Sequence, residues 1–208
     1  MHATARTRLR ALLLMLPLLL VPAACTGHQS APRPAQRTHV PTPTPTPVAR
    51  SAPFRVEVTH VAGKLSGKRR AVLAAHVRRT LSSYVDEAFL RTDYPAARFA
   101  GVPSPFTHTL ASAVRRDREL LTNAPLAAST RSVRAARRTA YLSVLSQHGS
   151  PAGVTAAVDL VFAVDRGDRP GQRVELKGRL MLTPAPGTGW RIFGYDLARS
   201  QRPVRRAS

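Results

Sequence analysis

The chain has 208 residues and carries 32 Lys and Arg against 11 Asp and Glu, a formal net charge of +21. A surface that basic attracts anions at a distance, which bears on partners and leaves the fold open. The single cysteine, Cys25, excludes an internal disulfide and any cysteine-based metal cluster. The seven histidines follow no paired ligand spacing, so neither a metal nor a cofactor is expected.

Residues 1–24 read as the three parts of a secretory signal: MHATARTRLR is positive, ALLLMLPLLLV apolar and PAA small. The apolar run contains Pro17 and falls short of the ~20 residues that a spanning helix needs, so cleavage is expected. The segment resembles the signal of a bacterial lipoprotein, whose motif ends in a small residue and the modified cysteine. Ala23, Ala24 and Cys25 match its last three places, while Pro22 stands where that family has Leu. The resemblance implies a lipidated Cys25 and an address on the outer face of the cell membrane. The alternative is ordinary cleavage near Ala23 or Ala24, which gives a secreted domain with a free thiol. Nothing around Cys25 holds a base against it or lowers its pKa, so it is not read as a nucleophile.

Residues 25–51 are a Pro/Thr-rich stretch read as a disordered tether. In PTPTPTP (41–47) every second residue is held near polyproline geometry, and at ~3.1 Å per residue the whole segment reaches on the order of 80 Å. One domain is expected over 52–200, followed by a basic tail at 201–208. The basic excess is not a property of the ends alone. It persists when Arg6, Arg8, Arg10, Arg33, Arg37, Arg50, Arg202, Arg205 and Arg206 are set aside.

FRVEVTHV (54–61) alternates apolar and polar residues and predicts a strand. Ser66 then caps a long helix whose apolar stripe is Leu73, Val77, Leu81, Tyr84, Val85, Ala88 and Phe89. DYPAARFAGV predicts a short helix or turn. Ser104-Pro105 opens a further helix to about Leu121, with Phe106, Leu110, Val114 and Leu121 on its apolar side. From there the period changes to two, through strands at 139–147, 154–165, 173–183 and 190–198. These are separated by the turn sequences HGSPAG, RGDRPGQ and PAPGTG. Helices first and an antiparallel meander second predict an α+β domain, with the N-terminal helices packed on a curved antiparallel sheet, a cone-like roll.

This order of elements, closing on WRIFGYD, resembles the nuclear transport factor 2-like fold over roughly residues 66–198. The closing strand is similar to that of exported actinobacterial members such as the Mce-associated proteins. The strand at 54–61 lies outside the basic family pattern. The resemblance implies a cone-shaped pocket, and the family spans enzymes such as ketosteroid isomerase and scytalone dehydratase as well as non-catalytic binding and scaffold domains, so fold alone assigns no activity. His76, Tyr84, Tyr141, Trp190, Tyr195 and Asp196 are the candidates for such a pocket, with Asp86, His108 and Asp159 as further polar groups; none forms a catalytic motif. Each also has a plain reading. His76 sits at the boundary of the apolar stripe, Trp190 and Tyr195 pack in the core, and Asp159 is solvated or paired with an arginine. Asp117 and Glu119 pair with neighbouring arginines.

The basic residues form two runs. Lys68, Arg69 and Arg70 open the long helix, with Arg78 and Arg79 further along. Arg131, Arg134, Arg137 and Arg138 cluster before a strand. Guanidinium groups suit phosphate and carboxylate, and arginine also serves simply to solubilise a surface. Nucleic acid fits the charge but not an exported address, and the few aromatics do not interleave with the basic runs. Three functions stay open. The first is a tethered, non-catalytic binding or scaffold module recognising the membrane, an anionic envelope polymer or another envelope protein. The second is a small-molecule carrier or enzyme using the pocket. The third is an accessory subunit docking through an apolar strand face.

Overall fold

Alternation of apolar and polar residues builds the sheet. In the computed structural model, which describes residues 51–96, 101, 103–187 and 189–204, five strands form one sheet. The expected signal, Cys25, the Pro/Thr-rich segment up to Arg50, and Arg205 and Arg206 lie outside the described residues. The strands are β1 (Arg55–Ala62), β2 (Ser132–Gln147), β3 (Ser150–Asp165), β4 (Gly171–Pro184) and β5 (Trp190–Val204), and their order in the sheet follows the chain.

From β2 to β5 the pairing is the antiparallel meander expected. The all-antiparallel sheet is corrected at one edge, where β1 lies parallel to β2 and makes the sheet mixed. The reason is the connection. Between β1 and β2 the chain crosses over through the helices and re-enters the sheet in the same direction, as parallel neighbours require. A two-residue turn, His148-Gly149, closes the β2–β3 hairpin, with both residues at positive φ (49° and 73°), the geometry that matches strand twist.

All four strands of the meander run further than their alternation suggests, β2 and β5 the furthest. β2 starts at Ser132, so the basic run at 131–138, expected before a strand, lies largely within one. Its pattern is hidden by a bulge: the register slips between Ala135 and Arg137, so Ala135 and Ala140, five residues apart, are both buried. β5 continues to Val204, paired with Gly171, and so takes in half of the segment expected as a basic tail.

Helix α1 (Gly67–Ala88) forms as its stripe dictates. Ser66 Oγ accepts from the Arg69 amide at 3.4 Å, and Leu73, Val77, Leu81, Tyr84, Val85 and Ala88 are buried. Phe89, just beyond its end, stacks on Phe162 of β3 at 4.3 Å, and Tyr84 stands edge-on to Phe106 at 5.3 Å. Helix and sheet thereby share one core with the inward residues of β2 to β5. Each large side chain so buried contributes roughly 1.5–3 kcal/mol.

The expected helix from Ser104 to Leu121 is corrected. Its start is claimed by the sheet edge: Thr107 N–H donates to the Ile192 carbonyl at 2.9 Å and Ile192 N–H to that of Pro105 at 2.8 Å. The chain continues through a single 3-10 turn at His108–Leu110, then α2 (Ala111–Arg116) and α3 (Arg118–Leu121) broken at Asp117, then a 3-10 segment at Ala124–Ser129. Phe106, Val114 and Leu121 are buried all the same, so the apolar spacing is satisfied by broken turns. Of DYPAARFAGV, residues 93–96 are irregular with bends and no helix, and 97–100 and 102 lie outside the described residues.

Candidate functional site

The six expected pocket residues do not converge. Tyr84 is fully buried on α1 and donates its hydroxyl to the Leu121 carbonyl at 2.8 Å; burial pushes its phenol far above the usual range, which makes it an internal strut. Tyr195 donates to Asp117 Oδ2 at 2.5 Å. Burial and then that hydrogen bond and charge push its phenol up to about 12, so it stays protonated. Asp117 thus serves a tyrosine as well as its neighbour Arg116, 3.6 Å away. Tyr141 and Asp196 are exposed on the sheet's outer side. A bulge makes this division. The register slips at Phe193, so Trp190 and Ile192 face inward, Tyr195 and Leu197 also face inward, and Asp196 points out. Asp159 pairs with Arg137 at 2.6 Å, and Asp86 lies 3.5 Å from Arg138.

His76 and Trp190 do meet, and two of the expected anion-binding residues join them. A notch of about 520 Å³ lies where the first turns of α1 face the start of β3, lined by Ser66, Lys68, Arg69, Val72, Leu73, His76, Ser150, Pro151 and Trp190. Two contacts hold its walls together. Arg69 Nη1 donates to the Gly149 carbonyl in the hairpin turn, and Thr80 Oγ1 donates to the Trp190 carbonyl at 3.2 Å. Trp190 is only 7% exposed, whereas Val72 on the helix wall is 50% exposed. No acid lines the notch, and none stands in the first turn of α1. Lys68 and Arg69 therefore sit beside the positive end of the helix dipole, where a cation is disfavoured and an anion favoured.

The remaining basic residues are dispersed. Arg70 turns back to the Leu65 carbonyl at 3.1 Å. Neighbours on a strand alternate faces, and the bulge at Ala136 sets the phase, so that Arg137 points out and Arg138 in. Arg137 is held by Asp159 outside, while Arg138 donates to the Ala52 carbonyl at 2.7 Å and lies 5.8 Å from the centre of the Phe54 ring. Arg131 and Arg134 are exposed. The run at 131–138 is therefore not one patch.

Two polar clusters escaped the reading of the sequence. Glu175 collects Arg173 at 2.8 Å, Arg202 at 2.9 Å and Lys177 at 3.5 Å; the Arg173 hydrogen bond leads in holding its carboxyl below the usual range. The i±2 spacing of Arg173 and Lys177 on a strand was the available signal for two of these three. Arg199 resembles a surface residue, yet it donates to the Glu119 carbonyl at 2.9 Å and to that of Thr122, and burial lowers its pKa. Beside Thr122, Asn123 is wholly buried and donates to Tyr94 and Thr130, each at 3.2 Å.

Among the described residues no three His, Cys, Asp or Glu side chains stand together as metal ligands, and no helix is long and apolar enough to cross a membrane. No protein-family model matches the chain, and no curated protein or solved structure is significantly similar to it.

Proposed function

We propose that this chain is an exported, lipid-anchored envelope protein whose folded unit, a cone-like roll of the nuclear transport factor 2 type, is a non-catalytic binding module for anionic surfaces. One observation carries the reading. The exposed side of α1 presents Lys68, Arg69, Arg78 and Arg79, while the nearby acids are engaged, Asp86 near Arg138 and Glu87 with Ser83 and Ser104. Cations so placed attract anionic lipid headgroups or envelope polymers, screened by salt. The non-catalytic part is supported by the tyrosines. Both inward tyrosines spend their hydroxyl protons on internal hydrogen bonds, Tyr84 on the Leu121 carbonyl and Tyr195 on Asp117, so neither proton is free for a substrate.

Retention of Cys25→Ala, which has no lipid to insert, on vesicles containing phosphatidylglycerol should be strong at low salt, fall steeply by about 0.5 M and be absent on phosphatidylcholine alone. Retention that ignores salt overturns the electrostatic reading. For the anchor, the intact mass of the membrane-bound protein should include a diacylated Cys25, and Cys25→Ala should release the chain to the soluble fraction in high salt, where the electrostatic contact is screened. An unmodified soluble chain starting near Ala24 or Cys25 would make it a secreted domain.

A second reading has its own observation. Tyr141, Leu145 and Phe193 are exposed on the sheet's outer side, and Leu145 and Phe193 line a shallow apolar groove of about 320 Å³ with Ala62 and Met181. An accessory subunit docking another envelope protein would use such a face. Phe193→Asp would then abolish the association without changing vesicle retention.

A further inference from the structure

The notch differs from the rest of the basic surface in having walls. Trp190, Leu73, Val72 and Pro151 make an apolar hollow, and Lys68, Arg69, Ser66 and Ser150 supply its polar groups. Its volume, about 520 Å³, lies in the ~300–1,000 Å³ range of small-molecule sites. Water against such walls is poorly satisfied, and apolar ligand surface gains about 25 cal/mol per Å² by replacing it. Arg69 uses Nη1 on Gly149, and the guanidinium has further donors to offer. Lys68 makes no ion pair among the described residues. With no acid in the lining, a cationic ligand would meet only repulsion. Trp190 is the one aromatic side chain of the lining apart from the His76 ring, too little to clamp a nucleobase on both faces.

We infer that the notch binds one single-chain anionic amphiphile, its carboxylate or phosphate head at Lys68 and Arg69 and its alkyl chain against Trp190, Val72, Leu73 and Pro151. This rests on the reading that the protein binds anions, and it adds a discrete site with a preferred chemistry.

Trp190 is the only tryptophan in the chain, so its emission reports on the site directly. The full-length protein is titrated with decanoate, decyl phosphate, decanol and decyltrimethylammonium, each below its micellar concentration. Decanoate, decyl phosphate or both should give a saturable one-site change, decanol a response weaker by about tenfold or more, and the cation none; charge-assisted contacts separate them. Comparing the two anions decides between a carboxylate and a phosphate head. Lys68→Glu should weaken anion binding at least about tenfold and leave decanol unchanged. Because it puts an acid in the first helical turn, it should melt no lower than the parent at low salt. Val72→Glu, at an exposed position, should abolish the anion response.

No saturable change with either anion, decanol or the cation responding as strongly as the anions, or indifference to Lys68→Glu would each overturn the proposal. Arg78→Glu combined with Arg79→Glu, outside the notch lining, separates it from the surface reading. That variant should lose vesicle retention and keep the tryptophan titration. If retention is normal and the titration silent, the notch proposal fails and the surface reading stands.

Discussion

Replacing Tyr84 by Phe removes one oxygen from the deepest part of the core and little else. The ring stays where it packs, edge-on to Phe106 at 5.3 Å and to Phe89 at 6.3 Å. What disappears is the 2.8 Å hydrogen bond to the carbonyl of Leu121, the last residue of α3. Leu121 is itself fully buried, so water cannot readily replace the lost donor. A buried acceptor left without its partner costs about 1–3 kcal/mol. For a domain of this size each kcal/mol moves Tm by roughly 2–4 °C. The variant should therefore lose about 1–3 kcal/mol in urea unfolding followed by Trp190 emission, with an unchanged m-value. Tyr84→Leu should lose more, because it adds a cavity to the missing bond. A Phe variant within ~0.5 kcal/mol of the parent would show that the hydroxyl is idle and that the broken helices are held by packing alone.

Gly178 sits at φ +135° on β4, where an added Cβ would lie 2.9 Å from Leu197 Cα and closer still to the Asp196 carbonyl. Gly178→Ala must push two paired strands apart, with an expected loss above ~2 kcal/mol; a variant that melts with the parent refutes the close approach. Tyr195 titrates near 12 in the fold against about 10 when free, so the folded state holds the proton more tightly. Its contribution is complete below pH ~10 and is lost as pH rises through 12. Tyr195→Phe should be less stable at neutral pH and flatter across that alkaline window, and parallel curves for parent and variant would contradict the Asp117 bond. Glu175 is shifted the other way, so its contribution exists above the ordinary carboxylate pKa and is lost as pH falls through the lower folded value. Glu175→Gln should therefore match the parent in acid and fall behind it at neutral pH, by a margin that shrinks in 1 M salt. A margin indifferent to both would dissolve the cluster.

Local pattern determined a good part of this protein. The stripe from Leu73 to Phe89 and its Ser66 cap made α1 predictable, because one face of a helix must find a core. Val154 to Val164 and Val174 to Leu182 made β3 and β4 predictable, because alternation is the geometry of a half-buried strand. The location of His76 and Lys68 on α1 came with the helix. What the pattern did not contain was phase. One extra residue at Ala136 and one at Phe193 each exchange inside for outside along the rest of a strand. That exchange puts Arg137 outside and Arg138 inside, and it brings Tyr195 to the face of Trp190 while Asp196 points out. Nor did it contain partners far along the chain. The parallel pairing of β1 with β2, the capture of Pro105–Thr107 by β5 and the meeting of Trp190 with the first turns of α1 join residues widely separated in sequence. Periodicity records how a segment buries itself against something; only the tertiary structure decides what that something is, because the energy of burial is non-directional and the register is set by contacts made elsewhere.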